Sequence, residues 1–335
     1  MPGMYEKDQP MKIAELGDTI FIAESSKTPF TRLIKTGPAP KQMAASWPAQ
    51  AWPKRGFGGT LDGTDKSSWS KTTREEIEAY AMWFMSDGWL ASKLANLTAT
   101  AGVGKKEKAK QMTDDGLLFA LQIEKQFLSS YDTAKEAAPT TAFRSRGAFS
   151  WLSAAAQTVK PVPSDLRPVA ACNYAGTLAN FTSAQVKTMM EAAATQISQP
   201  VDLTGFVGIK LKQKMSDYAQ HDTDVASETA LQRFSMDVKE KAFMHIVDFF
   251  SFDSGNIKTV TNWNLYADEA TGEANDETTR SGIFVALSMW QKRWLQAPMA
   301  FIEPPKSGGP RGYHDAVGIL ACDNPQGQMR AIISS

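Results

Sequence analysis

Apolar residues keep a helical period in two stretches of this chain and a strand-like pattern in several others. A long segment near the start keeps neither. The clearest helical stretch is 105–131, where Leu117, Leu118, Leu121, Leu128 and Tyr131 recur at three- and four-residue spacing and predict one apolar stripe. At about 1.5 Å per residue that helix is roughly 40 Å long. It opens on Lys105-Lys106-Glu107-Lys108-Ala109-Lys110, basic at the end where the helix dipole disfavours cations. The run reads either as a solvated face or as a contact with acidic groups on a neighbour. A second helix is predicted over Phe181–Ser198, with Thr182 or Ser183 as cap and Val186, Met189, Met190, Ala193 and Ile197 as its apolar face.

Strand signals gather in the second half. Phe206-Val207-Gly208-Ile209 reads as a strand followed by a short helix. Phe243–Phe252 and Ile257–Leu265 flank the turn Asp253-Ser254-Gly255-Asn256, the best hairpin signal in the chain. Residues 266–281 are acidic and read as an exposed loop. Two further pairs are expected, Gly282–Ala286 with Met299–Ile302 and Val317–Cys322 with Met329–Ile333, the latter turning at Asp323–Gly327. Residues 73–100 give mixed signals. Thr73 can cap a helix at Arg74-Glu75-Glu76, and the apolar run Ala79–Leu97 reads as helix, with strand open for part of it. Residues 132–180 read as a proline-punctuated connection.

The segment without a period lies in the first quarter. Residues 1–18 form a polar arm, and 19–35 hold a short helical turn broken at Pro29. Residues 36–72 are rich in Gly and Pro yet carry Trp47, Trp52, Phe57 and Trp69. A structureless loop of that length is unusual in a compact domain. A two-stranded arm is expected, with one limb near Met43–Trp52, a turn around Gly56–Gly63 and a return from about Ser67. An isolated hairpin is marginal in water, so the arm should lie on another subunit. Deleting Ala44–Lys66 is then expected to leave the rest folded while stopping assembly. Its tryptophans read as interface residues or as a carbohydrate platform, whereas Trp83, Trp89, Trp151, Trp263, Trp290 and Trp294 lie in apolar runs and read as core.

Composition adds little beyond this. Of 335 residues, 42% are hydrophobic and 21% charged, within the range of globular proteins. Lys+Arg and Asp+Glu are each 36, a balance that argues against a dedicated nucleic-acid binder and offers little resistance to self-association. Cys172 and Cys322 stand far apart and read as buried thiols. The N-terminus lacks the pattern of a signal peptide, and no apolar run reaches the roughly 18 residues of a spanning helix.

Candidate chemistry is thin. Of the three histidines, His221 follows a helix candidate and precedes Asp222, His245 sits in a strand run, and His314 adjoins Asp315 after a glycine-rich turn; the last invites comparison with a catalytic pair. Adjacent residues rarely take up that geometry. Ser307-Gly308-Gly309-Pro310-Arg311-Gly312 resembles a phosphate loop but lacks the Gly-Lys-Ser/Thr ending, and Pro310 has no amide N–H to offer. No catalytic residue, cofactor-binding residue or metal ligand is assigned, and no cofactor is expected.

Three blocks together resemble the tailed-bacteriophage major capsid protein family with the Hong Kong 97-like fold. They are Ile20–Gly37, with Ser26-Lys27-Thr28-Pro29-Phe30 and Leu33-Ile34; the hairpin His245–Asn264; and the closing segment Gly282–Ile333, with a strand ending in Pro304-Pro305. The chain departs from the family pattern at Pro305–Gly309 and in the helix-forming composition of 73–100. The resemblance implies an α+β fold with an N-terminal arm (1–37), an extended loop (38–72), a peripheral domain (73–180) with spine helix 105–131, and an axial domain (181–295) with a central sheet. C-terminal strands (296–335) would return to the peripheral domain, and no room is seen for a fused scaffolding domain. It further implies a structural head protein forming hexamers and pentamers of an icosahedral shell around double-stranded DNA, met without sequence readout. Partners would be further copies of itself, a portal protein and a separate scaffolding or decoration protein, with no membrane. The place would be the virion, assembled in the host bacterial cytoplasm. Phe30, Trp47, Trp52, Phe57, Trp69, Lys105 and Lys106 are the expected inter-subunit contacts. The competing readings are a carbohydrate-active hydrolase using exposed tryptophans, and another phage component such as a tail or portal protein.

Overall fold

The computed structural model describes residues 28–50, 60–65, 74–91, 107–137, 141–218, 247–266, 276–306 and 309–334. In chain order the elements are α1 (Pro29–Leu33), β1 (Lys35–Thr36), β2 (Ala44–Ala49), β3 (Glu75–Tyr80), β4 (Met82–Met85), β5 (Trp89–Leu90), α2 (Glu107–Phe127) and α3 (Ala148–Trp151). There follow β6 (Asn173–Thr177), α4 (Ser183–Ile197), β7 (Val201–Val207), α5 (Ile209–Asp217), β8 (Phe249–Phe252), β9 (Gly255–Thr261), α6 (Asp276–Arg280), β10 (Gly282–Val285), β11 (Trp290–Lys306), β12 (Gly309–Cys322) and β13 (Met329–Ser334). The fold is α+β and divides into two units. Among the described residues the smaller holds parts of 85–120 and 298–315, and the larger holds the rest.

The larger unit is built on a six-stranded sheet in the order β6-β13-β10-β7-β9-β8. β7 runs parallel to β9 and antiparallel to β10, and β13 runs parallel to β6. Helix α4 buries Val186, Met189, Met190 and Ala193 in one core with Leu203, Val207, Ile257 and Phe284 from the sheet. Its three- and four-residue spacing and its cap explain why it forms: Thr182 Oγ1 accepts from Gln185 N, and Ser198 closes the helix in the left-handed region. The turn into β9 is a tight fit. Gly255 has φ +136°, and a Cβ there would lie 2.0 Å from Val201 O, so only glycine allows β7 and β9 to meet.

The C-terminal pairing differs from the expectation. β10 pairs with β7 and β13, not with 299–302, while β13 pairs with β10 and β6, not with 317–322. The strands of 290–306 and 309–322 lie next to each other, in the order β1-β11-β12-β4. Turn chemistry at 323–327 suggested a local hairpin, but Asp323–Gln328 carries the chain from one sheet to the other. Two buried tryptophans hold the crossing. Trp151 Nε1 donates to Leu320 O at 3.1 Å, and Trp290 Nε1 donates to Gln328 Oε1 at 2.6 Å.

Residues 74–91 are strands where the helix reading was favoured. β3 pairs antiparallel with β2, from Ala44↔Tyr80 to Ala49↔Glu75, and Ile77 and Ala79 alternate inward. Cross-strand pairing and burial override the helix propensity of Glu-Glu-Ile-Glu-Ala. β2 and β3 therefore form a two-stranded ladder whose first strand falls within the expected range and whose second, at Glu75–Tyr80, lies beyond the expected loop; the expected return from Ser67 falls outside the described residues. Pro29 opens α1 instead of breaking a helix, since a first-turn proline gives up no helical hydrogen bond.

Helix α2 spans Glu107–Phe127, four residues short of the expected end. Its buried side is Asp115, Phe119, Ile123, Glu124 and Phe127, while Leu117 and Leu118 are exposed, the latter at 63%. Of the expected stripe, Leu128 is fully buried and Leu121 and Tyr131 half-buried, whereas the helix buries Phe119, Ile123 and Phe127 in place of Leu117 and Leu118.

Candidate functional site

Three sets of largely buried contacts fix segments of this chain that lie far apart in sequence. The first is a carboxylate. Glu124 on α2 is fully buried and accepts the N–H of Phe30 at 2.9 Å and that of Thr31 at 2.8 Å. Asn262 Nδ2 donates to the same Oε1 at 2.9 Å. The first-turn N–H groups of α1 have no helical acceptor, and Glu124 supplies one. Lys292 Nζ donates to Thr31 O at 2.7 Å; burial lowers its pKa, and the charge of Glu124 partly offsets this. Phe30 itself is 0% exposed, edge-on to Phe206 at 5.2 Å and to Trp290 at 5.8 Å.

The second anchor is Trp47 on β2. It is 6% exposed, with its ring 5.8 Å from that of Trp151 and the Arg293 guanidinium 4.8 Å from its centroid. Trp47 Nε1 donates to Cys322 O at 3.1 Å. On β3, Tyr80 N donates to Thr133 Oγ1 at 2.8 Å, and Glu78 pairs with Lys160. Arg146 secures this neighbourhood from below: its Nε meets Asp132 Oδ1 at 2.8 Å, and its Nη2 donates to Val159 O and Lys160 O at 2.7 and 2.6 Å.

The third anchor lies in the smaller unit. Asp115 Oδ2 accepts from Ser86 Oγ at 2.7 Å and lies 2.6 Å from His314 Nδ1. His314 N donates to Ser86 Oγ at 2.9 Å, and the imidazole stacks on Phe119. The partner of His314 is therefore Asp115, not the adjacent Asp315. A serine, an acid and a histidine meet here, yet Ser86 donates to the carboxylate and not to the imidazole. That arrangement lacks the nucleophile–base bond of acyl-transfer enzymes. It ties the turn after β4 to helix α2 and strand β12. No group of three or more His, Cys, Asp or Glu side chains among the described residues could hold a metal ion. No helix among them is long and apolar enough to cross a membrane.

Several aromatic residues differ in exposure from the expectation. Phe30 and Trp47, expected at subunit contacts, are buried in this chain's own core. Trp83 and Trp263, read as core, are 57% and 50% exposed. Strand alternation would have found Trp83, since Phe84 is buried while Trp83 and Met85 point outward. Trp89, Trp151 and Trp290 are core, and Trp294 is half-buried. Trp52, Phe57, Trp69, Lys105, Lys106, His221 and His245 lie outside the described residues.

Mixed sheets, a long helix and a two-stranded arm in this order define a Hong Kong 97-type phage capsid fold. Solved structures agree over nearly the whole length. The capsid of cyanophage A-1(L) matches at TM-score 0.62 and 12% identity, covering 99% of each chain. The capsid of a native GTA particle matches at 0.60 and 8%, covering 98% of each, and a chain from Mycobacterium phage Bobi at 0.59 and 10%, covering 99% of each. No curated protein matches the chain. Residues 4–312 match the family described as SU10 major capsid protein, and the chain belongs to that family.

Proposed function

We propose that this chain is the repeating subunit of an icosahedral head, forming hexamers and pentamers that close around double-stranded DNA. The family match over 4–312 carries this reading. The anchors support it. A subunit that lends arms to neighbours must fix their roots rigidly, and Glu124 and Trp47 do so with buried, fully partnered contacts. Each contact is then repeated over the shell, so modest interfaces sum to a stable container. The role is structural and not catalytic. DNA meets the inner surface without base readout, and formal neutrality suits a cargo that must later leave. A portal protein and a separate scaffolding or decoration protein complete the partner set. The place is the virion, with assembly in the host cytoplasm. The contact residues are proposed to be Trp52, Phe57 and Trp69 in the arm and Lys105 and Lys106 before α2. The domain limits proposed from the sequence, with the extended loop at 38–72 and the axial domain at 181–295, accompany this reading.

Electron microscopy of the purified chain tests the proposal. Closed shells or stable hexameric rings are expected. A clean monomer at high concentration overturns it.

A further inference from the structure

Charge is sorted along the first quarter of the chain. Residues 25–61 hold six basic residues, Lys27, Arg32, Lys35, Lys41, Lys54 and Arg55, and no Asp or Glu. Arg32, Lys35 and Lys41 are exposed, and none of the three forms an ion pair among the described residues. The strand that pairs with this stretch has the opposite sign. β3 sets Glu75, Glu76 and Glu78 across from Ala49, Pro48 and Ser46 of β2. Lys160 pairs with Glu78, and Glu76 acts on the same ammonium at longer range.

A cavity of about 200 Å³ lies at the Ala49↔Glu75 end of this ladder, lined by Ser46, Trp47, Pro48, Arg74, Glu75 and Glu76. Two carboxylates stand there against one guanidinium, so the lining carries one negative charge in excess. Arg74 is exposed and forms no ion pair with either carboxylate. Glu75 Oε2 is buried without a hydrogen-bond partner. A carboxylate withdrawn from water is stabilised most by a cationic donor. The volume suits the end of one Lys or Arg side chain and is below that of an ordinary small-molecule site. Phosphate would satisfy the exposed cations and leave Glu75 alone, whereas a contact between copies satisfies both sides.

We infer that the acidic end of the β2–β3 ladder of one copy takes Lys35 or Lys41 of a second copy, with the ammonium set against Glu75 and Glu76. The inference rests on the reading of the chain as a shell subunit. The test treats shells assembled from isotopically light and heavy copies with a carbodiimide, which joins a carboxylate to a lysine amine where the two touch. Mass spectrometry is expected to find light–heavy cross-links from Glu75 or Glu76 to Lys35 or Lys41. Reversing one side, by Glu75→Lys with Glu76→Lys or by Lys35→Glu with Lys41→Glu, is expected to lower shell yield at least tenfold. The chain carrying both reversals is expected to regain most of the yield, which a merely structural role of these residues would not produce. Cross-links within one copy only, cross-links to other lysines, or none in assembled shells, the result if the lysines face DNA, overturn the inference alone. So does a double reversal that restores nothing. If the unmodified chain forms no particles, the shell reading fails and the inference with it.

Discussion

Glu124 accepts the backbone N–H of Phe30 at 2.9 Å across 94 positions of sequence, and both residues are fully buried. The bond fixes the start of α1 to the long helix. Glu124→Gln keeps one acceptor but sets an NH2 group against a donor. A loss of about 2–3 kcal/mol is expected, because hydrogen bonds to a buried charged group are the strong ones. Chemical denaturation of the unassembled chain reads it. A loss below half a kcal/mol shows that Glu124 is not the anchor.

Phe30 supplies the apolar half of the same anchor. Phe30→Ala leaves a cavity between Phe206 and Trp290 and is expected to cost about 3–5 kcal/mol. Phe30→Leu, closer in volume, is expected to cost less than half as much. Equal, small effects from both would place Phe30 outside the core.

The deletion expected from sequence to be harmless to folding changes with Trp47. Removing Ala44–Lys66 takes out β2 and a tryptophan enclosed by Trp151 and Arg293, so the chain is now expected to unfold or lose most of its stability. A shorter deletion, 51–66 replaced by a Gly/Ser linker, keeps the pairs up to Ala49↔Glu75. It is expected to leave circular dichroism and the melting midpoint nearly unchanged while abolishing shells. Normal shells from the shorter variant would remove the arm from assembly.

Trp263 is half-exposed, so Trp263→Ala is expected to shift monomer stability by no more than about 0.5–1 kcal/mol. A surface tryptophan used between copies is a common hot spot, and the same change is then expected to slow or stop shell formation. Light scattering during assembly separates the outcomes; unchanged assembly makes Trp263 a bystander.

Burial pushes the Cys172 thiol up to about 11 and raises that of Cys322 as well. Burial disfavours the thiolate, so at pH 8 the reactive form of Cys172 is on the order of one part in a thousand. Neither thiol is expected to react with iodoacetamide in the folded chain at pH 8, and both should react in denaturant. Labelling of Cys172 is expected to grow as pH rises toward 11, and rapid labelling at pH 8 would contradict its burial.

Periodicity was enough to locate α2 and α4, because long amphipathic helices write their burial every three to four residues, and on α4 it also named the buried face; on α2 it chose Leu117 and Leu118, which are exposed. The turn at 253–256 was legible for a similar local reason. Residues 74–91 were not, since Glu75–Tyr80 carries helix-forming side chains and becomes a strand only by pairing with Ala44–Ala49. The candidate contact set divided along the same line. An aromatic residue in a Gly/Pro-rich segment looks unpartnered, and nothing near Trp47 in sequence reveals that Trp151, Arg293 and Cys322 surround it.

The sequence by itself determined the positions of the two long helices, the turn at 253–256, and the chemistry available: few histidines, two thiols, balanced charge. These are local or additive properties of side chains. Tertiary structure decided which sheet each C-terminal strand joins, that Asp115 and not Asp315 meets His314, and which tryptophans face inward. Those outcomes depend on residues tens to hundreds of positions apart, and they are settled by the shared need to fill space and to partner most buried polar groups.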